Sequence, residues 1–247
     1  MEALKVDGLT KHFGGVCSLQ DVSFRVEAGE RLAIIGPNGA GKTTLFNLLA
    51  GQLSTTNGRI FFFGREITGM APHRRARLGM SRSFQVSNLF FNLTVLDNIL
   101  LSIQGTRPQS YRMLRSITAY KSIYIKAEQL LKTTDLWEKK NSLVRNISHG
   151  EQRNLEIVLS LALEPRLLLL DEPTAGLTDA ESINIIDIMR NLGTDTTVLF
   201  VAHDIDLVLN VADRIIVLHY GEIMADGTPE EIQSDLKVKE IYMGVKA

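Results

Sequence analysis

Residues 36–44 read GPNGAGKTT, which fits the pattern G-x-x-x-x-G-K-[ST] with Gly36, Gly41, Lys42 and Thr43 in the required places. Pro37, Asn38, Gly39 and Ala40 fill the turn, and Thr44 follows it. Such glycines let a backbone wrap a phosphate chain with its N–H groups. An ammonium at Lys42 neutralises β- and γ-oxygens, and the Thr43 hydroxyl suits Mg²⁺. The chemistry implied is nucleoside triphosphate binding. A second group, LLLLDEP, places Asp171 and Glu172 at the end of an apolar run. Asp171 suits Mg²⁺ through water, and Glu172 suits a general base acting on an attacking water. His203 ends the run TVLFVAHD. Gln85, in RSFQ, carries an amide able to bridge Mg²⁺ and that water.

The stretch ISHGEQRNLEI (147–157) supplies a further anion site. Ser148 and Glu151 have capping-box spacing, so a helix begins here. A helix start beside Gly150 offers free N–H groups and a positive dipole end to a phosphate. Read singly, each of these groups also has an ordinary structural explanation: a glycine turn, an acidic strand end before a proline, a structural histidine, a capped helix.

The elements around them fit the chemical reading. RLAIIG reads as a buried strand before the phosphate loop, and TTLFNLLA as a helix after it that stops at Gly51. LLLLD and TVLFV read as buried parallel strands, whose carboxyl ends are where ligands bind in α/β sheets. LKVDGLTKHF, VCSLQDVSFRVE and RIFFFG read as antiparallel strands. LTVLDNILLSI and YKSIYIKAEQLLKTTDLW read as helices, ESINIIDIMRNL as another, and RIIVLHYGEIMADG as a hairpin turning at Tyr220-Gly221. Thr228-Pro229-Glu230-Glu231 caps a final helix. Strands alternating with helices imply a parallel sheet covered on both faces.

The chain has 247 residues and a net charge of −1, so bulk charge draws it to neither nucleic acid nor an anionic membrane. Cys17 is its single cysteine, which excludes an internal disulfide. MEALKVDGLT lacks the apolar centre of a signal peptide, and no apolar run is long enough to span a bilayer. If the protein works at a membrane, another chain crosses it. Between Asn98 and Ala127 there are no acids, while Arg107, Arg112, Arg115, Lys121 and Lys126 alternate with Tyr111, Tyr120 and Tyr124. That block reads as a solvated face, a surface for anionic headgroups or a nucleic-acid surface.

The ordered set GPNGAGKTT, Gln85, SHGEQ, LLLLDEP and His203 resembles the ATP-binding subunit of an ABC transporter over essentially the whole chain. The resemblance implies an α/β fold: a P-loop NTPase (RecA-type) parallel-sheet core with an antiparallel β subdomain, over 1–85 and 148–247, and an inserted α-helical subdomain at 86–147. It implies ATP and Mg²⁺ as ligands, with Thr43, Gln85 and Asp171 toward the metal. Glu172, Gln85 and His203 match catalytic positions. Gly36 to Thr44 match the Walker A loop, and Ser148, His149, Gly150 and Glu151 the signature motif. Phe13 falls where the family stacks an aromatic on adenine. Two departures stand out. The usual signature L-S-G-G-Q has Ile147, His149 and Glu151 substituted here, and Thr178 stands where the loop after the acidic strand usually has aspartate.

The partners implied are a second ATPase subunit, identical or sibling, integral-membrane permease subunits and a periplasmic substrate-binding protein, with no nucleic acid. The implied place is the cytoplasmic face of the inner membrane. VSNLFFNLTVLDNILLSI, LEPRLLLLDEPTAGLT and the ending GTPEEIQSD…VKEIYMG are most similar to importers of branched-chain or other polar amino acids or small amides. A lipopolysaccharide-type exporter ATPase and a soluble ABC-type ATPase acting on nucleic acid remain as alternatives.

Overall fold

A computed structural model of the chain describes residues 1–82, 89–105 and 117–243. In chain order its elements are β1 (Glu2–Phe13), β2 (Val16–Glu27), β3 (Arg31–Ile35), α1 (Lys42–Ala50), β4 (Asn57–Phe62), β5 (Arg65–Glu66), α2 (Pro72–Arg77), β6 (Met80–Arg82), α3 (Val95–Gly105), α4 (Ile117–Lys132), α5 (His149–Ala162), β7 (Leu167–Asp171), α6 (Asp179–Arg190), β8 (Thr197–Val201), α7 (Ile205–Val211), β9 (Arg214–His219), β10 (Glu222–Gly227), α8 (Pro229–Ser234) and α9 (Leu236–Met243). They form two compact units. One comprises Met1–Arg82, Arg166–Thr174 and Leu192–Ala247; the other comprises Ser83–Pro165 and Ala175–Asn191.

The first unit holds both sheets found among the described residues: an antiparallel one in the order β2-β1-β4-β5, and a six-stranded one in the order β10-β9-β3-β8-β7-β6. Within the larger sheet β6, β7, β8, β3 and β9 run parallel, and β10 closes it as an antiparallel edge. The strands β7 and β8 are buried at every position, as continuous apolar runs must be when both faces are covered. Register sets the functional edge. Ile34 of β3 and Asp171 of β7 both pair with Val201 of β8, so three strands reach their carboxyl ends at one level.

The hairpin expected at Tyr220-Gly221 is present, with both residues at positive φ (46° and 82°), the backbone a two-residue turn between twisted strands requires. Helix α1 ends as expected at Gly51, and N–H groups at this cap donate back to the carbonyls of Asn47 and Leu48, that of Gly51 to Leu48 at 3.1 Å. Beside that end lies Arg75, 2% exposed, whose guanidinium donates to the carbonyls of Thr68, Met70, Leu48 and Leu49 at 2.6–2.9 Å. Burial lowers its pKa to about 10, which still leaves it charged at neutral pH.

The second unit packs α3, α4 and α5 around Ile99, Ile103, Ala127, Leu155 and Val158. It is larger than the block 86–147 read from the sequence. Leu155, Val158 and Ala162 turn α5 into this core, and α6 joins the same unit. Helix α4 stops at Lys132, short of the run to Trp137 expected from periodicity. The hydroxyls of Thr133 and Thr134 bond to the carbonyls of Leu130 and Leu131, an alternative to continuing the helix. Beyond the helix capped by Thr228, α9 adds one more. The short elements α2, β5 and β6 carry too few residues for periodicity to reveal them.

Candidate functional site

The phosphate loop runs from the end of β3 into α1. Gly36 and Gly41 are glycines for lack of room. A Cβ at Gly36 would lie 2.2 Å from the Leu218 carbonyl oxygen, and one at Gly41, where φ is 101°, would lie 2.6 Å from that of Ser18. Pro37 is half-buried, Asn38 and Gly39 are exposed, and Ala40 is buried and accepts the Gly221 N–H. Lys42 is buried; its ammonium donates to the carbonyls of Gly36 (2.6 Å) and Pro37 (3.0 Å), which fixes it inside the loop. Its pKa is lowered by burial, against the opposing pull of the Glu172 and Asp171 carboxylates. Thr43 is exposed, and the Thr44 hydroxyl lies 2.8 Å from that of Ser18. Helix α1 has no side-chain cap, so its first N–H groups face the loop as anion donors.

Asp171 and Glu172 diverge as adjacent carboxylates at a strand end should. Asp171 is 3% exposed, and its Oδ2 accepts from Arg82 Nη2 at 3.0 Å. Arg82 also donates to the side-chain carbonyls of Asn47 and Gln52, both at 2.7 Å. Glu172 leaves the strand with φ 48°, a left-handed backbone uncommon for a glutamate, while its N–H is held by Val201. Its Oε1 lies 3.1 Å from His203 Nε2, and both side chains are about two-fifths exposed. The expected convergence of Lys42, Asp171, Glu172 and His203 on one sheet edge is therefore realised within the first unit. Phe13 is 47% exposed with the Lys11 ammonium 5.0 Å over its ring, so it is not a core phenylalanine. Gln85 lies outside the described residues.

The described residues contain no group of three or more His, Cys, Asp and Glu able to hold a metal. A cation here would take oxygen from Thr43 and Asp171 and the rest of its shell from phosphates and water. That donor set fits Mg²⁺.

In the second unit Ser148 caps α5 as expected: Glu151 N–H donates to Ser148 Oγ (3.2 Å), and Ser148 N–H to Glu151 Oε2 (2.8 Å). Glu151 Oε1 accepts from the Lys139 ammonium. Ser148 and His149 are exposed. Gly150 is buried because Glu181 of α6 fills the space beside it. A Cβ there would lie 2.3 Å from Glu181 Oε1, and the Gly150 N–H donates to that carboxylate. His149 is near Glu181, and a Cβ built at Gly176 would lie 3.8 Å from His149 Cε1. Thr178, which departs from the family's loop pattern, caps α6 through a capping box with Glu181. No motif in the sequence marks Arg82 or Lys139, and Glu181 belongs to none of the family's motifs. The T-x-x-E spacing of Thr178 and Glu181 was the one local signal available for any of them.

A family model described as ABC transporter matches residues 19–175, and a model of branched-chain amino acid ATP-binding cassette transporters matches residues 222–247. The high-affinity branched-chain amino acid transport ATP-binding protein BraF of Pseudomonas aeruginosa is 37% identical, with 98% of this chain and 97% of that one covered. The corresponding protein LivG of Salmonella typhimurium is 36% identical with the same coverage. Among solved structures, the ADP conformation of MJ1267, an ATP-binding cassette of an ABC transporter, superposes with a TM-score of 0.85 at 31% identity, covering 99% of this chain and all of that one. A dimeric post-hydrolysis state of MJ0796 bound to ADP and Pi gives 0.76 at 26% identity, covering 92% of this chain and 98% of that one. With the phosphate loop, the acidic strand end and the capped SHGEQ helix all in place, the chain belongs to the ATP-binding cassette family of ABC transporters, as an ATP-hydrolysing subunit.

Proposed function

We propose that this subunit powers an importer of branched-chain amino acids, as a dimer that closes around two ATP molecules. The observation that carries the hydrolytic role is the Glu172–His203 contact at the sheet edge from which the phosphate loop also leaves. The match of the chain's ending to the branched-chain transporter model, with the BraF and LivG similarity, supports the substrate class over an exporter or a nucleic-acid ATPase.

In this reading the phosphate-loop N–H groups and Lys42 cradle the β- and γ-phosphates, and Phe13 stacks on adenine. Thr43, Asp171 and Gln85 hold Mg²⁺, which supplies charge neutralisation at the phosphates when bound. Glu172 takes a proton from the attacking water, and His203 orients the Glu172 carboxylate by donating to it and reaches toward the γ-phosphate. Ser148 and Gly150 at the start of α5 face the γ-phosphate of the partner subunit's ATP. The Gly150 N–H is held by Glu181 within this subunit, so a phosphate there competes with that carboxylate. Closure and release follow from different affinities for ATP and ADP. The working complex contains a second ATPase, identical or sibling, permease subunits that cross the membrane and an external binding protein. The subunit itself lies peripherally on the cytoplasmic face.

Glu172→Gln tests the assignment. ATP binding should persist while turnover falls by about two orders of magnitude or more, as expected for loss of a general base, and the dimer should accumulate in ATP. Wild-type turnover in that variant removes Glu172 from the mechanism.

A further inference from the structure

Glu151 raises an electrostatic problem. The family signature has a neutral glutamine at this position, and here a carboxylate stands in the first turn of a helix read as the acceptor of a triphosphate. A second acid, Glu181, also reaches that helix start through the Gly150 N–H. Two carboxylates facing an incoming polyanion would oppose its arrival.

The structure contains an answer to one of them. Both oxygens of Glu151 are committed: Oε2 accepts the Ser148 N–H at 2.8 Å, and Oε1 accepts the Lys139 ammonium. Lys139 is carried on a turn hydrogen-bonded in both directions, its N–H to Leu136 and its carbonyl to Ser142. The next residue pins that turn, since the Lys140 ammonium sits 3.8 Å over the Trp137 ring. Glu151 is 22% exposed and Lys139 49%, so the cation is the more exposed member of the pair.

We propose that Lys139 is a positioning residue for the phosphate-facing start of α5. It neutralises Glu151 and draws its carboxylate aside, so the pair replaces the uncharged glutamine of the family signature. The inference rests on the proposed reading of α5 as the partner-facing phosphate site. A plain surface ion pair would contribute little to stability and would have no bearing on nucleotide.

A double-mutant cycle in the full-length Glu172→Gln chain, alone or with its sibling ATPase, separates these outcomes. The measured quantity is the ATP concentration giving half-maximal dimer by analytical ultracentrifugation. Lys139→Met should raise it roughly tenfold at low salt, with the effect shrinking as ionic strength rises. In a Glu151→Gln background the same lysine replacement should have almost no effect, because no charge remains to neutralise. The inference is overturned if Lys139→Met is silent, or if it impairs dimerisation equally in both backgrounds, which marks a structural role for the turn. A parent chain that never dimerises with ATP removes the phosphate-site reading of α5 and this inference together. A dimerising parent with a silent lysine variant removes the inference alone.

Discussion

Asp171 and Glu172 are neighbours in the chain with unlike surroundings. The first is a buried carboxylate bonded to Arg82; the second is half-exposed, twisted into a left-handed backbone and bonded to His203. Removing one partner of a buried pair leaves the other charge to be desolvated without compensation, so Arg82→Met should cost about 3 kcal/mol in denaturant unfolding. Glu151 gives a second residue-scale expectation. Burial pushes its pKa up, but the Lys139 ammonium and the Ser148 N–H outweigh it and hold the value below the ordinary 4.5. The folded state therefore favours the carboxylate. Its stabilising effect is complete above 4.5 and disappears as pH falls through the lower folded value. The stability gap between the wild type and Glu151→Gln should be present at pH 7 and should close in acid. The residues proposed to touch phosphate or water are legible in the sequence, because motif spacing encodes them. Their supports were not. Arg82 lies 89 positions from Asp171, and only the strand register brings the two together.

The described helix starts are capped in different ways. α5, α6 and α8 each begin with a full capping box, whereas α1 begins at a glycine with no side-chain cap. An uncapped start keeps its donors for a ligand, and a capped one spends some of them on the chain itself. The far end of α1 is closed instead by Arg75. Thr178→Ala should cost about 1 kcal/mol in thermal or chemical unfolding through loss of the α6 cap. Most elements could be read from periodicity, and Gly51, Ser148 and Thr228 marked helix limits correctly. The apolar spacing carries the expected α4 on to Trp137 because Leu136 and Trp137 belong to the same core, whereas the hydroxyls of Thr133 and Thr134 end the helix before them. The allotment of α5 and α6 to the second unit depends on which core their apolar faces meet, and linear order does not carry that information.

At the scale of the molecule, the described residues include one core around the sheets and another around α3, α4 and α5. No helix among the described residues is long and apolar enough to cross a membrane. The proposed complex places membrane association on its permease subunits. Co-expressed with integral-membrane permease subunits, the chain should sediment with membranes and co-purify with them; co-purification with nucleic acid instead would favour the soluble-ATPase alternative. Part of the basic stretch considered for headgroups or nucleic acid is already engaged, since Lys126 pairs with Glu164 at 2.7 Å. Arg107, Tyr111, Arg112 and Arg115 lie outside the described residues.

The bond between Ser18 and Thr44 has a practical use. It ties the second strand to the phosphate loop, and the residue before Ser18 is the exposed Cys17, the one cysteine in the chain. A thiol-reactive dye would attach there alone, with no cysteine to remove first. The wild-type sequence thus provides an optical reporter one residue from a side chain that touches the nucleotide loop.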